Sequence, residues 1–501
     1  MSKPIPIFYN ALLLTSVNLL LRLVGTGFQV YISRKMGAAG VGLLQLTMSV
    51  GSLALITGMA GIRTGTMYLT AEELGKNRPG QVPWVLSGCV RYSLFFSITA
   101  AAILYICAPR IALHWIQEPG ITDALRLFSV FLPVSCLCGV MTGCFTAAGH
   151  IRSLAAVEVA EQLFSMAVTI FFLTYYAGSH PPKACQSVIL GSGAGSCLTL
   201  LCLTVLRGIA PASRGTYQPM ARKLLDTALP LGAADVLKSG INTAENLMVP
   251  RRLGQYPGIT QPLAAFGILG GMVFPVVMFP AAILFALAEL LIPELSRCAA
   301  ASSRVRICYL VRRALGISYL YGTFFSGGIF LLAAPLCLRL YGNTQAAGPM
   351  QLYALLIPML YCDALTDAMT KGLGQQKACV RYNILTSTLD LVILYLLLPR
   401  YGMTGYFFSF LVTHLLNFIL SLRRLLHITG QSLSLHNPMF CAAAMGISVA
   451  AGSCFSPPLL RLGVYCACLF SLWTILGIFS RHTLHWLKSL IFAEKAKVSV
   501  E

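Results

Sequence analysis

The sequence predicts an all-α integral membrane protein of fourteen transmembrane helices, arranged as two parallel six-helix repeats around a central cavity, plus two C-terminal helices. Three observations predict this class. Of the 501 residues, 57% are hydrophobic and 10% are charged, whereas ordinary soluble domains are about 25% charged. Apolar runs of roughly 20 residues, the length that crosses a bilayer as a helix, recur along the chain. Segments of the first half also recur in the second half.

The apolar runs define the predicted spans, in chain order. They are 7–33, 40–62, 84–108, 121–146, 154–177, 186–206, 228–250, 265–293, 314–334, 350–370, 383–399, 404–422, 438–456 and 462–480. The connecting segments are short, so no soluble domain fits between them.

The basic residues are distributed unequally between the loops on the two sides of the membrane. The chain carries 36 Lys and Arg against 16 Asp and Glu, a formal net charge of +20. With the N-terminus in the cytoplasm, well over half of the basic residues fall in cytoplasmic segments, as the positive-inside rule requires. We therefore expect a multi-pass protein of the bacterial cytoplasmic membrane with both termini cytoplasmic, in contact with membrane lipids and without a nucleic-acid partner.

Motifs for enzyme chemistry and metal binding are missing from the sequence. Most of the 17 cysteines fall inside spans, where cysteine behaves as a small hydrophobe, and none forms a CxxC pair. No GxxxxGK[ST], GxSxG or HExxH motif occurs. We expect no disulfide, no metal site, no catalytic residue and no cofactor other than Na⁺ or H⁺ as a coupling ion.

An internal repeat organises the chain. ISRKMG at 32–37 matches VPRRLG at 249–254; 60–76 matches 281–297, and 132–152 matches 357–377. Six spans separate the copies, so both enter the membrane in the same orientation, as in transporters with parallel repeats. We expect an N-terminal lobe at 1–225, a C-terminal lobe at 226–430, and two additional helices with a cytoplasmic tail at 431–501.

A polar stripe begins each copy. In the seventh span, four polar residues share one helical face at i, i+3, i+7 and i+10: Asp235, Lys238, Asn242 and Glu245. A similar stripe in the first span contains Asn18, Arg22, Thr26 and Gln29. Because lipid-facing charges are costly, we expect the stripes to face each other across a hydrated substrate cleft between the copies.

The alternative for the second stripe is a structural pair. Asp235 and Lys238 lie one turn apart, so they could simply neutralise each other. The cavity interpretation is favoured because the span of Arg22 contains no acidic residue, and an arginine in a membrane helix suits an anionic ligand.

Three further carboxylates are candidates for ion coupling. Asp363 and Asp367 lie one turn apart in the tenth span, either as ion ligands or as partners of Lys371 and Lys377. Asp390 lies within the eleventh span with Asn383 two turns before it. Oxygen ligands of this kind suit Na⁺ or a proton relay, and a structural role is an equal alternative.

Several segments resemble the multidrug/oligosaccharidyl-lipid/polysaccharide (MOP) exporter superfamily. They are RLVG at 22–25, SRKMGAAGVGLLQL at 33–46, AGIRTGTMYLTAEELGK at 60–76 and ENLMVPRRLG at 245–254. They are most similar to the stage V sporulation protein B branch of polysaccharide transporters, and more remotely to the lipid II flippases.

The resemblance implies a flippase. Its substrate would be a lipid-linked oligosaccharide of the peptidoglycan or spore-cortex kind, moved outward by alternating access, with envelope-synthesis enzymes as further candidate partners. In lipid II flippases a cationic cavity binds the substrate's pyrophosphate, and Arg22 aligns with one such arginine. Phe28 and Gln29 stand where a charged pair is expected, so Arg63 or Lys238 would have to substitute.

Two other functions stay open at this point. One is an Na⁺- or H⁺-coupled multidrug or metabolite antiporter of the same superfamily, with Asp235, Glu245 and Asp390 as coupling carboxylates. The other is a membrane scaffold or lipid scramblase that assists envelope synthesis, for which the polar stripes would be dispensable.

Overall fold

The computed structural model of the protein describes residues 5–76, 78–178, 180–207, 220–431 and 436–477. Within these ranges the chain is helical almost throughout and contains no β-strand. The helices are α1 (Ile5–Met59), α2 (Ile62–Gly75), α3 (Val82–Arg110), α4 (Thr122–Ala147), α5 (Ile151–Tyr175), α6 (Pro181–Arg207), α7 (Met220–Leu253), α8 (Pro262–Ile268), α9 (Phe274–Met278), α10 (Ala281–Ala300), α11 (Arg304–Tyr341), α12 (Ala347–Ala354), α13 (Ile357–Gly372), α14 (Gln376–Thr429), α15 (His436–Ser453) and α16 (Pro458–Ile475). The predicted all-α membrane class is confirmed.

Two long helices are each interrupted by a glycine. Gly37 in α1 has φ 71° and ψ 174°, and Gly402 in α14 has φ 56° and ψ −133°. Glycine adopts such positive φ angles without the clash that a Cβ would cause. We name the segments on either side α1a (5–36), α1b (38–59), α14a (376–401) and α14b (403–429). Both breaks lie between two predicted spans.

The count of fourteen spans is not confirmed. In the described part of the chain, 8 helices are long and apolar enough to cross a membrane, or up to 10 if each bent helix pair is one span. The count is lower because α1 and α14 each contain two predicted spans. In addition, two predicted spans are not counted. One is α7, which carries the charged stripe, and the other is α15, whose apolar part is the short segment Pro438–Ser453.

Two spans are sharply bent near prolines. The segment Pro262–Met278 meets α10 at 65°, with Pro280 in the gap, and α12 meets α13 at 55°, with Pro358 in the first turn of α13. Proline causes such bends because it lacks an N–H and clashes with the preceding turn. Pro133 lies inside α4, which continues as a helix through that residue.

The described residues form two compact units. One comprises Met1–Ala282 with Asn383–Thr413, and the other comprises Ile283–Tyr382 with His414–Glu501. In the second unit α16 packs on α11 and α15, and the buried Tyr465 hydroxyl lies 2.9 Å from the Phe324 carbonyl. The lobe boundaries predicted at 225 and 430 come from the internal sequence repeat, whereas the two units are defined by compactness. The lobe boundaries therefore stay predictions.

Candidate functional site

Two carboxyl groups meet inside the first compact unit. Glu245 of α7 and Asp390 of α14a lie within hydrogen-bonding reach of each other. The side chain of Asp390 is buried. Two carboxylates in contact repel strongly when both are ionised, so the pair favours sharing a proton or binding a cation.

Hydroxyl groups of α14b complete the surroundings of Asp390. The Oγ of Ser409 donates to Asp390 Oδ1 at 2.5 Å, and the Oγ1 of Thr413 lies 3.1 Å from the same oxygen. The Thr413 hydroxyl is also 2.9 Å from the Ser409 carbonyl, and its single proton serves one acceptor at a time. When it donates to the carbonyl, its own oxygen is available as a cation ligand beside Asp390.

The break at Gly402 brings these groups together. Asp390 contacts residues 19 and 23 positions further along the chain, so α14a and α14b fold back on each other around the glycine. On α14b, Tyr406 lies one turn before Ser409, and its buried side chain lies beside both carboxyl groups.

Sequence reasoning identified both acids but missed the face of α14b. Its three polar residues have the helical spacing i, i+3 and i+7: Tyr406, Ser409 and Thr413. This periodicity was a usable signal. It was overlooked because hydroxyl side chains are common in apolar helices, where they often donate to their own backbone.

The predicted cavity residues are mostly exposed. Exposed side chains in the two stripes are Arg22, Gln29, Asp235, Lys238 and Asn242, whereas Glu245 is half-buried. The side chain of Asn18 lies outside the described residues. Asp235 precedes Glu245 by ten residues, a rise of about 15 Å along a helix. That separation is too long for Asp235 to join the Glu245–Asp390 pair.

The two predicted cationic residues outside α7 differ in their surroundings. Arg63 is exposed on α2 and interacts electrostatically with Glu158 of α5. Arg22 is exposed on α1a, where Thr26 Oγ1 donates to the Arg22 carbonyl at 2.8 Å. Arg63 therefore has an acidic neighbour that the sequence did not reveal.

Asp363 and Asp367 lie in the second compact unit. The Nδ2 of Asn417 donates to both carboxylate oxygens of Asp363, each at 3.2 Å. Lys371 Nζ pairs with Asp367 Oδ2 at 2.6 Å. Each acid therefore has a donor of its own, and for Asp367 this is the structural pairing that the sequence left open. Asn383 lies on α14a two turns before Asp390, and its carbonyl accepts from Thr386 at 3.2 Å.

Comparison with known proteins agrees with this architecture. The MatE family model matches residues 14–171. Stage V sporulation protein B of Bacillus subtilis (strain 168) is 20% identical over 402 residues, covering 78% of this chain and 77% of that protein.

Two solved structures share the fold. The lipid II flippase MurJ in an inward closed conformation matches with a TM-score of 0.69 at 12% identity, covering 93% of this chain and 99% of that one. An inward-facing multidrug resistance MATE family transporter of the MOP superfamily matches with a TM-score of 0.65 at 12% identity, covering 84% and 100%. The predicted resemblance to the MOP superfamily is confirmed, and the chain is a multi-pass membrane protein with the fold of these transporters.

Proposed function

We propose that the protein is a flippase that moves a lipid-linked oligosaccharide from the cytoplasmic to the outer leaflet of the bacterial cytoplasmic membrane. The substrate would be a precursor of the peptidoglycan or spore-cortex kind, moved by alternating access and driven by Na⁺ or H⁺. The protein would act as a transporter without catalytic chemistry. Both chain termini would lie in the cytoplasm.

The observation that carries this proposal is the exposure of two cationic side chains, Arg22 on α1a and Lys238 on α7. Arg22 lies in a candidate membrane span, and the sequence predicts that α7 also crosses the membrane. Charge in a membrane helix is costly unless it meets water or a ligand, and the diphosphate of a lipid-linked sugar is such a ligand. The likeness to MurJ, which covers more of this chain than the likeness to the MATE transporter does, supports the same choice.

The Glu245–Asp390 pair would couple transport to a cation. Two adjacent carboxyls with hydroxyl neighbours form an oxygen-rich site that suits Na⁺ or a shared proton. Binding at this pair would favour one conformation over the other, because a ligand shifts an equilibrium only through its different affinity for the two states.

The direct test measures outward movement of a fluorescent lipid-linked disaccharide diphosphate in proteoliposomes containing the full chain. Arg22→Ala and Lys238→Ala should each slow movement by about tenfold or more, the expected loss of one charged phosphate contact. The matched control is Arg91→Ala, which removes another exposed arginine from a membrane helix, α3. Equal rates of lipid movement in the wild type and the three variants would refute the anionic substrate.

The second candidate is a cation-coupled multidrug antiporter, favoured by the pairing of Glu245 with the buried Asp390 and by the match to a multidrug transporter. The same vesicles distinguish the two functions. Cation-driven movement of a fluorescent organic cation, with no movement of the lipid-linked probe, would select the antiporter.

The orientation has a separate test. In a cysteine-free background, a cysteine placed at Lys183 should react with an impermeant reagent added outside the cell, whereas one placed at Arg152 should not. The reverse pattern would overturn the topology inferred from the loop charges.

A further inference from the structure

A cavity of about 600 Å³ lies at the C-terminal end of α7, within the first compact unit. We name it the α7 cavity. One wall is α7 from Gly240 to Arg252 with Gln255 just beyond the helix. The other walls are Leu53 of α1b, Trp115 of the π-helical turn Ile111–Ile116, and Tyr395 of α14a. Its volume is in the range that holds small-molecule ligands.

Two neighbouring arginines give the α7 cavity a cationic end. The guanidinium of Arg252 lies 3.3 Å from the centre of the Tyr395 ring, and its Nη1 donates to Gln255 Oε1 at 3.0 Å. The ring and the amide hold this guanidinium in place, yet neither neutralises its charge. Arg251 is exposed at the same end of the cavity.

Neither arginine has an anionic partner in the described part of the chain. Ion pairs seen there form at other cations, among them Lys76, Arg297, Arg306 and Lys371. Two adjacent guanidinium groups repel each other, and a bound anion would relieve that repulsion. A phosphate suits this position because the planar guanidinium fork meets two of its oxygens together.

Most of the remaining cavity wall is apolar. Its apolar side chains include Leu53, Leu247, Met248 and Trp115. Tryptophan and tyrosine are enriched where membrane lipid meets water, and the loop charges assign this end of α7 to the outer surface. A ligand with a phosphate head and a hydrocarbon chain matches both parts of the cavity.

We propose that the α7 cavity binds the phosphate headgroup of a membrane lipid. Arg251 and Arg252 hold the phosphate, and the acyl chain lies along Leu53, Leu247 and Met248. This site uses neither Arg22 and Lys238 nor the Glu245–Asp390 pair, so it stands or falls without the proposed function.

The test measures the melting temperature of the full-length protein in detergent with phosphatidylglycerol, diacylglycerol or inorganic phosphate added at equal concentration. Phosphatidylglycerol should raise the Tm of the wild type by about 3 °C, since a ligand that binds only the folded state stabilises it. The double variant Arg251→Gln/Arg252→Gln should lose at least half of that shift. The control Arg339→Gln, an exposed arginine at the end of α11, should keep it.

A second variant fills the cavity and leaves both charges in place. A Cβ added at Gly240 meets no atom within 4 Å, so Gly240→Leu should fold and occupy the space of the lipid chain. Its Tm shift with phosphatidylglycerol should also fall by half or more.

Three outcomes would overturn the proposal. The first is an equal phosphatidylglycerol shift in the wild type and in both the double and the cavity-filling variants. The second is an equal shift with inorganic phosphate, which would indicate a free-anion site. The third is an equal shift with diacylglycerol, which would indicate that the phosphate contributes nothing.

Discussion

Asp390 and Asp363 are two partly or fully buried acids, one in each compact unit, and both accept hydrogen bonds from residues of α14b. The carboxyl group of Asp390 lies within hydrogen-bonding reach of a second one, Glu245. Asp363 instead accepts from the amide of Asn417, and the acid nearest to it, Asp367, is paired with Lys371. A neutral amide donates hydrogen bonds to an ionised carboxylate, so that carboxylate needs no bound proton or cation. A second carboxyl group requires a proton or a cation. We therefore propose that the first acid is the ion-responsive one and that the second is structural.

The largest expected effect comes from Asp390→Asn. The amide cannot hold a negative charge, so the pair loses its ability to bind a cation. We expect cation-driven transport in proteoliposomes to fall by about 100-fold, the loss of a charged contact worth nearly 3 kcal/mol. A variant that still responds to an imposed Na⁺ or H⁺ gradient would show that the pair is not the coupling site.

Glu245→Gln should have the next largest effect. It leaves the charge of Asp390 in place but removes the partner, so we expect the apparent affinity for the driving cation to fall by about tenfold. The matched control is Asp235→Asn on the same helix, which lies too far along α7 to join the pair and should leave that affinity unchanged. If Asp235→Asn has the larger effect, the acids of α7 have been assigned wrongly.

Thr413→Val tests the role of the hydroxyl groups beside Asp390. Valine keeps the shape of threonine and removes the oxygen that lies 3.1 Å from Asp390. One neutral hydrogen bond or ligand is worth about 1 kcal/mol, so cation affinity should fall roughly fivefold. Thr388→Val is the control, because that exposed hydroxyl donates to the Ile384 carbonyl. An equal loss of cation affinity in Thr413→Val and Thr388→Val would show that the loss does not depend on contact with Asp390.

Asp363→Asn should have the smallest effect on transport. Asparagine still offers an oxygen to Asn417, so cation dependence should stay within about twofold of wild type. The free energy of unfolding should drop by about 1 kcal/mol, because a charge-assisted hydrogen bond becomes a neutral one. A loss of cation dependence as large as that of Asp390→Asn would break the comparison and make Asp363 a second coupling residue.

The sequence predicted parts of the site unevenly, and particular residues show why. Asp390 and Glu245 were identified because charge in an apolar span is conspicuous. Asp235 was grouped with them because it shares the stripe with Glu245, and only the rise of α7 separates the two. Arg63 stays a predicted anion ligand. Its electrostatic interaction with Glu158, a residue far away in the chain, could not be predicted from the sequence.

By itself, the sequence determined the membrane class, the internal repeat, the placement of the spans around Gly37 and Gly402, and the register of polar residues along each helix. These follow from composition and from the helical period, which are local properties. Only the tertiary structure decided that Glu245 meets Asp390, that Ser409 and Thr413 contact the same acid, and that Arg252 stacks on Tyr395. Such contacts depend on how the chain folds back at its breaks, and the period of one helix carries no information about which face of another helix it will touch.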